Sequence, residues 1–294
     1  MSVLGFFGSQ SAVFELCSHF RLQYGIFLLI TALVVLKHKK FFALFCLAAA
    51  CNLLLVGILY IPVKSEVGTI SSAHHELRLL DMNINFENRS PDLVNQEIQS
   101  VDADVVVIEE LTAPLYGALE PSLRYYPYRV VALREDPFGI GIFSKTRFIS
   151  SSDNPMKIPV SLVISAVIQP ADKPVEIMAA HLLPPVRFDY YDVDKKIVDM
   201  LAKTAHDFSG PKLIVGDLNA TPWSAIFSRL VEKSGLQDSE KGFGLQPTWP
   251  CGEKFFQIPI DHCLVSSDCK IVQRSVGNET GSDHKPLVLR VLVP

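Results

Sequence analysis

The sequence predicts an α/β protein whose β-sheets pack face to face beneath a cover of helices. Short apolar runs of strand length recur along the chain and alternate in part with amphipathic helical runs. Ahead of them lies a long charge-free stretch, which predicts a membrane-anchoring segment. The 294 residues are 49% hydrophobic and only 20% charged. This composition excludes a disordered chain and a basic protein that wraps nucleic acid.

The apolar excess is concentrated in residues 1–63, which are predicted to form a membrane anchor with one or two transmembrane helices. The run 41–63 carries no charge, and at about 1.5 Å per residue it spans a hydrocarbon layer of about 30 Å. A shorter apolar run, 24–36, is the candidate for the first helix of a transmembrane hairpin. The alternative for either run is a buried core helix, which 41–63 fits poorly because it has no polar face.

A basic cluster between the two runs, Lys-His-Lys-Lys at 37–40, sets the predicted orientation. Such loops stay on the cytoplasmic side, so the later helix runs outward and everything after Lys64 lies on the far side of the membrane. The alternative is a signal peptide cleaved at the Ala-Ala-Ala-Cys sequence of 48–51. Cleavage is disfavoured because the apolar run continues through residues 53–61.

Residues 64–75 are predicted to form a linker and residues 76–294 a single folded domain. Only one acidic and four basic residues precede Lys64, so the remaining 30 acidic and 23 basic residues give the rest of the chain a formal charge of −7. This balance argues against tight binding of duplex nucleic acid by charge alone, although a local basic patch stays open. Three of the six cysteines, Cys251, Cys263 and Cys269, fall in this domain, and the sequence assigns no disulfide among them.

The elements of the domain follow from hydrophobic period and from helix start signals. The hydroxyl, proline and acid of Ser90, Pro91 and Asp92 predict a helix that runs to about Ser100. A second helix is predicted over 189–208, where apolar residues form one stripe, and a third over 222–233. The predicted strands are 76–82, 104–108, 128–133, 139–144, 160–168, 175–181, 212–216, 258–265, 270–275 and 285–293.

Polar clusters adjoin the predicted strands at places where turns alone do not require them. They are Asp81-Met82-Asn83, Glu109-Glu110, His181, Gly216-Asp217-Leu218-Asn219, Asp261-His262 and Gly281-Ser282-Asp283-His284. A single Asp or Asn after a strand is more often a turn former, and a single histidine is more often structural. Six clusters of carboxylate, amide and imidazole together predict a functional site at the strand ends.

The chemistry of these side chains indicates hydrolysis of a phosphate ester. Hard oxygen ligands that suit Mg²⁺ or Mn²⁺ are supplied by Glu110, Asp217, Asp283, Asn83 and Asn219. Two imidazoles, each near a carboxylate in this scheme, suit proton transfer near neutral pH. The chain lacks both the G-x-S-x-G nucleophile elbow and the G-x-x-x-x-G-K-[ST] phosphate loop.

Taken in order, these residues resemble the endonuclease/exonuclease/phosphatase superfamily over nearly all of 77–292. The superfamily includes pancreatic-type deoxyribonucleases, exonuclease III-like endonucleases, neutral sphingomyelinases and inositol polyphosphate 5-phosphatases. The most specific motifs are the stretch 216–224 and Ser282-Asp283-His284, and the others are 80–83, 104–110, 139–144, 180–182 and 260–262. The resemblance implies a four-layer α/β sandwich of two mixed sheets flanked by helices.

Carried over residue by residue, the resemblance implies a metal site and a water site. Glu110 would be the principal Mg²⁺ ligand, with Asn83 and Asp283 nearby, and Mn²⁺ is an alternative ion. Asp217 and Asn219 would orient the attacking water and the phosphate.

The resemblance also implies roles for the two histidines. His284, held by Asp283, would act as a base or as a clamp on the transition state. His181, oriented by Asp261, would hydrogen-bond the phosphoryl oxygens and assist the leaving group. Glu109 stands where the superfamily usually has Gln, and this departure is expected to add negative charge beside the metal ligand.

The sequence therefore predicts a membrane-anchored, divalent-metal-dependent phosphodiesterase, with nucleases included. The alternatives are a lipid or inositol phosphate phosphatase, a sphingomyelinase-like hydrolase and a non-catalytic phosphate-binding membrane receptor. The hydrophobic head resembles that of a membrane-anchored bacterial branch of the superfamily, which implies a bacterial inner membrane with the domain facing the periplasm or exterior. The expected partners are the bilayer and a phosphoester substrate. Aromatic residues at 125–128 and 188–191 are candidates for substrate contact or for the core.

Overall fold

The computed structural model describes residues 1–62, 74–157 and 162–294. Most of the predicted linker, 64–75, lies outside the described residues, as do the last residue of the predicted anchor and the start of the predicted strand 160–168. Within the described ranges the chain forms an α/β domain with a helical N-terminal segment.

Two six-stranded mixed sheets form the centre of the domain. The strands are β1 (His75–Asn83), β2 (Val105–Glu109), β3 (Tyr128–Ala132), β4 (Ile140–Ser144), β5 (Phe148–Ser152), β6 (Val163–Ile168), β7 (Val175–Ala180), β8 (Lys212–Asp217), β9 (Gln237–Asp238), β10 (Asp261–Val265), β11 (Lys270–Val276) and β12 (Leu287–Val293). The first sheet has the order β11-β12-β1-β2-β4-β3 and the second β5-β6-β7-β8-β10-β9. The pairs β1–β2 and β7–β8 are parallel, and the other pairs are antiparallel.

Helices cover the outer faces of both sheets. The helices are α1 (Ala12–Leu16), α2 (Arg21–Val34), α3 (Lys39–Gly57), α4 (Pro91–Val101), α5 (Ala113–Ala118), α6 (Glu120–Leu123), α7 (Phe188–Asp207) and α8 (Ala225–Ser234), with 3₁₀ turns at Leu4–Gln10 and Ile58–Tyr60. One apolar core, which includes Val107 and Ile177, fills the space between the sheets. Two more cores pack α4–α6 on the first sheet and α7–α8 on the second. The predicted four-layer sandwich is confirmed.

Local signals explain where several elements begin. Ser90 occupies the position before α4, but its side chain makes no capping hydrogen bond, so the predicted hydroxyl cap is wrong. The third predicted helix begins at Ala225 and not at residue 222, because Ser224 adopts an extended conformation and its hydroxyl accepts a hydrogen bond from the amide of Phe227.

The N-terminal segment forms a helical hairpin of α2 and α3. A Cβ atom on Gly25 would lie 2.5 Å from the Leu53 side chain, so glycine allows the two helices to approach closely. Among the described residues, one helical stretch, Lys39–Tyr60, is long and apolar enough to cross a membrane, with a mean hydropathy of 2.5. The 14 residues of α2 span only about 21 Å. The placement of the hairpin in a bilayer stays a prediction.

The residues before this hairpin pack against the start of α8 and the loop that precedes it through specific polar contacts. Glu15 is 1% exposed and accepts hydrogen bonds from the amides of Ala225 and Ile226, both at 3.0 Å. His19 contacts the Thr221 hydroxyl at 3.2 Å. The N-terminal segment is therefore joined to the domain at the start of α8.

Candidate active site

The predicted functional residues converge at one edge of the sandwich, where the two sheets meet. Asn83 ends β1 beside Glu109, its partner in the parallel pair with β2. In the second sheet, Asp217 ends β8 opposite Asp261, the first residue of the antiparallel strand β10. The parallel strands β1 and β2 both end at this edge, whereas the antiparallel strand β10 begins where β8 ends, so residues distant in sequence lie together here.

Asp217 lies at the centre of the site. Its Oδ2 atom is 3.6 Å from His181 Nε2 and 3.7 Å from His284 Nε2. It also accepts a hydrogen bond of 3.1 Å from the Asn83 side-chain amide, which crosses from the first sheet to the second. The amide N–H of Asn219 donates to the other oxygen of Asp217 at 2.8 Å. The carboxylate is thereby fixed between two imidazoles.

The carboxylate partners of the two histidines differ from those that the resemblance implied. Asp261, and not Asp283, orients His284, because His284 Nδ1 lies 3.0 and 3.2 Å from the two Asp261 oxygens. His181 instead has Asp217 as its near carboxylate. Asp283 accepts hydrogen bonds from Asn85 at 2.8 Å and from the Trp249 indole at 3.0 Å.

Burial and charge set the protonation of these groups. Burial lowers the pKa of His181 to about 4, so its imidazole is neutral at pH 7. Burial opposes the charge of His284, but Asp261 and Asp217 outweigh it and raise the pKa to about 10. Burial raises the pKa of Asp217 to about 7 despite the charge of His284. The site thus combines a neutral imidazole, an imidazolium and a carboxyl group that titrates near neutrality.

Glu110 lies at the rim of the site and is tied to its centre by Asn83. The Asn83 amide donates to Glu110 Oε1 at 3.0 Å as well as to Asp217, while its own oxygen accepts from the Asn85 amide. Asn83 therefore links the Glu110 and Asp217 carboxylates by donating a hydrogen bond to each of them. The second oxygen of Glu110 accepts from the Phe86 amide at 2.8 Å, and burial raises the pKa of Glu110.

These residues fit a hard divalent cation. Three carboxylates, Glu110, Asp217 and Asp283, face the same cavity, and the Asn83 amide nitrogen joins Glu110 to Asp217. Ligand-type atoms of Asp217, Asp261 and His284 also lie within 4.8 Å of one another, but His284 as an imidazolium has no free ring nitrogen for a cation. Carboxylates outnumber cationic groups at this edge, and carboxylate oxygen suits Mg²⁺ or Mn²⁺. Crowded carboxylates repel one another, and in the absence of a cation they reduce this repulsion by taking up protons. A bound dication would reduce the same repulsion without protonation.

The burial of Glu109 opposes the negative charge that the sequence predicted beside Glu110, the predicted metal ligand. It is fully buried behind the site, and burial, followed by the neighbouring Asp81 carboxyl, raises its pKa well above the usual range. Its surroundings therefore favour the neutral form of the Glu109 carboxyl over the charged form. Gly216, with φ +134°, packs against it: a Cβ there would lie 2.3 Å from the Ala180 carbonyl oxygen and 2.7 Å from Glu109 Oε1.

Two functional residues occupy the left-handed backbone region that non-glycine residues rarely adopt. Glu110 has φ 57° and Asn219 has φ 46°. Each lies within two residues of the end of a central strand, β2 for Glu110 and β8 for Asn219. Such outliers cost of order 1–3 kcal/mol and cluster at functional sites.

A cavity of about 410 Å³ opens over these groups. Its polar floor contains Glu110, His181, Asp217, Asn219, Asp283 and His284, and its walls are mainly apolar. None of the aromatic residues at 125–128 or 188–191 lines it: Tyr126 and Tyr191 are buried in the core, and their hydroxyls donate to carbonyls. For these two tyrosines the core alternative is confirmed.

Sequence reasoning missed several residues that line this cavity or contact its lining. Asn85 and Trp249 hold Asp283, and the Phe138 ring lies 5.5 Å from that of His181. The Thr-Trp-Pro sequence at 248–250 was the available signal for Trp249, since an isolated tryptophan between turn-forming residues is uncommon. No sequence signal indicated that the N-terminal residues Leu16 and Phe20 also line the cavity.

Comparison with known proteins decides the family. A model described as the Endonuclease/Exonuclease/phosphatase family matches residues 82–284. The chain belongs to this family. Family members are phosphoester hydrolases, and the matched range contains the polar residues of the site, Asn83, Glu110, His181, Asp217, Asn219, Asp261, Asp283 and His284. No curated protein matches the chain significantly in sequence.

Solved structures of the family share the fold of this chain. An endonuclease/exonuclease/phosphatase family protein from Bacteroides thetaiotaomicron has a TM-score of 0.63 at 16% identity, covering 75% of this chain and 99% of its own. D. rerio TDP2 complexed with a single-strand DNA product has 0.63 at 14%, covering 74% and 98%. The 3′ phosphatase NExo from Neisseria, bound to a product DNA hairpin, has 0.59 at 17%, covering 72% and 98%. At these identities the likeness establishes the fold alone.

Proposed function

We propose that this chain is a membrane-anchored, Mg²⁺-dependent phosphodiesterase whose catalytic domain faces the periplasm or exterior of a bacterial inner membrane. The observation that carries the catalytic part is the position of Asp217 between His181 and His284 on the floor of one cavity. The long apolar helix and the basic loop before it support the anchor and its orientation.

Hydrolysis joins a water oxygen to phosphorus, breaks one ester P–O bond and leaves a proton on the departing oxygen. Asp217, with a pKa of about 7, suits removal of the proton from the attacking water. Asn219 holds Asp217 by its backbone amide and thereby fixes the direction of proton transfer. These two residues form the nucleophile side of the site.

The histidines suit the developing charge. His284, held as an imidazolium by Asp261, stabilises negative charge on the phosphoryl oxygens and acts as the transition-state clamp. His181 is neutral and donates a hydrogen bond toward the phosphoryl group or the leaving oxygen. Since the pKa of His284 lies far above 7, it is poorly suited to act as the base.

Glu110 and Asp283 are the residues that would hold Mg²⁺, with Asn83 positioning Glu110 by hydrogen bonding. When bound, the ion supplies charge that polarises a phosphoryl oxygen. The half-buried Glu110 carboxylate and the exposed Asp283 carboxylate leave room for water ligands, which Mg²⁺ usually retains.

Hydrolysis by the full-length chain in detergent tests the catalytic proposal. We expect Mg²⁺-dependent hydrolysis of bis(p-nitrophenyl) phosphate that stops with EDTA. Asp217→Asn should lower kcat by at least about 100-fold, in the range of a lost general base, with unchanged circular dichroism. The surface variant Asp189→Asn, whose side chain is 59% exposed, is the matched control. Full activity of Asp217→Asn would show the assigned mechanism to be wrong.

Topology has a separate test. A tag at the C-terminus should be digested when protease is added to spheroplasts of intact inner membrane, whereas a tag inserted in the basic loop between α2 and α3 should be protected. Protection of the C-terminal tag would contradict the outward orientation.

A further inference from the structure

One wall of the catalytic cavity is supplied by the N-terminal segment and not by the catalytic domain. Leu16, His19 and Phe20 line the same cavity as the catalytic histidines. His19 contacts Thr221 at 3.2 Å, and the Trp223 indole donates to the His19 carbonyl oxygen at 3.1 Å. The cavity therefore has its full shape only while this segment is docked.

The walls of the cavity are apolar out to the protein surface. Leu16 is 38% exposed on one side and Val186 is 68% exposed on the other, with Phe138 deeper in the cavity. No lysine or arginine lines the cavity among the described residues. A nucleic acid strand binds through a basic groove as well as stacking aromatics. This cavity has aromatic side chains, Phe20, Phe138 and Trp249, but no basic groove, so its lining favours one phosphate beside an apolar group.

The wall segment continues directly into the anchor. Residues 16–20 end where α2 begins at Arg21, and α2 packs along α3, the helix that is long and apolar enough to cross a membrane. Gln23 in α2 donates to the carbonyl oxygens of Phe255 and Gln257 at 2.9 and 3.3 Å. The Phe255 side chain is itself exposed. Because the cavity wall and the base of the predicted anchor are one segment, insertion of α3 into a bilayer would place the mouth of the cavity near the bilayer surface.

We propose, on the basis of the hydrolase function proposed above, that residues 16–20 complete the active-site cavity for a phosphodiester carried by a bilayer lipid. The phosphate would lie against His181, Asp217 and His284, and the adjoining apolar part along Leu16 and Val186. A volume of about 410 Å³ is in the range of small-ligand sites of about 300–1,000 Å³. It holds a headgroup and the start of a chain, while the rest of the lipid stays in the membrane.

A series of p-nitrophenyl phosphodiesters with a shared scissile bond tests this proposal. The second ester group is methyl, butyl or hexadecyl, and the enzyme is the full-length chain in Mg²⁺-containing detergent micelles. We expect kcat/KM to be at least tenfold higher for the hexadecyl ester than for the methyl ester. If the water-soluble butyl ester is hydrolysed as well as the hexadecyl ester, a bilayer source is wrong. A preference for a single-stranded oligonucleotide over all three esters would also overturn the proposal.

Variants on opposite walls separate recognition by the cavity from simple partition into the micelle. Leu16→Gln and Val186→Gln should each lower the hexadecyl-to-methyl ratio of kcat/KM by about fivefold or more, because each removes an apolar contact. Leu93→Gln, at a leucine that is 41% exposed on α4, is the matched control and should leave the ratio unchanged. An unchanged ratio in both wall variants refutes the role of the wall. Loss of hydrolysis of every ester in the wild type shows instead that the proposed hydrolase function is wrong.

Discussion

Replacement of Glu15 by alanine tests whether the N-terminal segment is an integral part of the fold. Glu15 accepts from the first two amides of α8, and Ser224 accepts from the third. Those amides have no partner inside the helix. A net hydrogen bond to a charged group contributes about 1.5–3 kcal/mol, and water replaces part of it. We therefore expect Glu15→Ala to destabilise the start of α8 by about 3 kcal/mol.

Hydrogen exchange measured by mass spectrometry on the full-length chain in detergent reports this local opening. Since 1.4 kcal/mol is a factor of ten, the amides of Ala225 and Ile226 should exchange about 100-fold faster in Glu15→Ala. Glu15→Gln keeps one acceptor oxygen and should give a smaller increase. Glu120→Ala, at a glutamate whose side chain is 57% exposed, is the control. Exchange that rises less than threefold in Glu15→Ala would refute the capping role and weaken the case for a docked anchor.

Three further predictions concern the site and the core. Asp261→Asn should lower kcat by about 100-fold or more with little change in KM, because the substitution removes the charge that keeps His284 cationic. Steady-state kinetics measure both constants, and an unchanged kcat would contradict this role of Asp261. Glu110→Gln should raise the Mg²⁺ concentration for half-maximal activity at least about tenfold by removing a charged ligand, as a Mg²⁺ titration would show. Burial raises the pKa of Glu240 to about 8 despite nearby Arg274. The raised pKa of Glu240 stabilises the folded state by an amount that is fully present below the unfolded pKa of about 4.5 and is lost as pH rises through about 8. Wild-type thermal stability should therefore fall more between pH 4.5 and 8 than that of Glu240→Gln.

Buried strands were predictable from sequence because burial on both faces leaves a continuous apolar run. The predicted strand 104–108 corresponds to β2, which is fully buried. The edge strand β5, Phe-Ile-Ser-Ser-Ser, was missed because its exposed residues carry no apolar alternation. The short helices α5 and α6 were missed because four to six residues give no measurable helical period.

The composition of the site was predictable, whereas its internal pairing was not. Strand-end clustering and family motifs indicated His181, Asp217 and His284, which the structure brings together. The carboxylate partner of His284 depends on how β10 lies beside β8 across the second sheet, and adjacency in sequence favoured Asp283 over Asp261. The docking of Glu15 on α8, 210 residues later in the chain, likewise depends on tertiary contacts that no local pattern encodes.

The two sheets contribute different residues to the candidate active site, so the proposed catalytic rate depends on how the sheets are aligned. Asn83 ends a strand of the first sheet and Glu110 follows another, whereas Asp217 belongs to the second sheet. The Asn83–Asp217 hydrogen bond of 3.1 Å bridges the two sheets. A shift of one sheet over the other by about 1 Å would move Asp217 and His181 away from Glu110, the proposed metal ligand. Misplacements of that size cost about 100-fold in rate. Loosening the distant inter-sheet core, for instance at Val107 or Ile177, should therefore reduce turnover well before the protein unfolds.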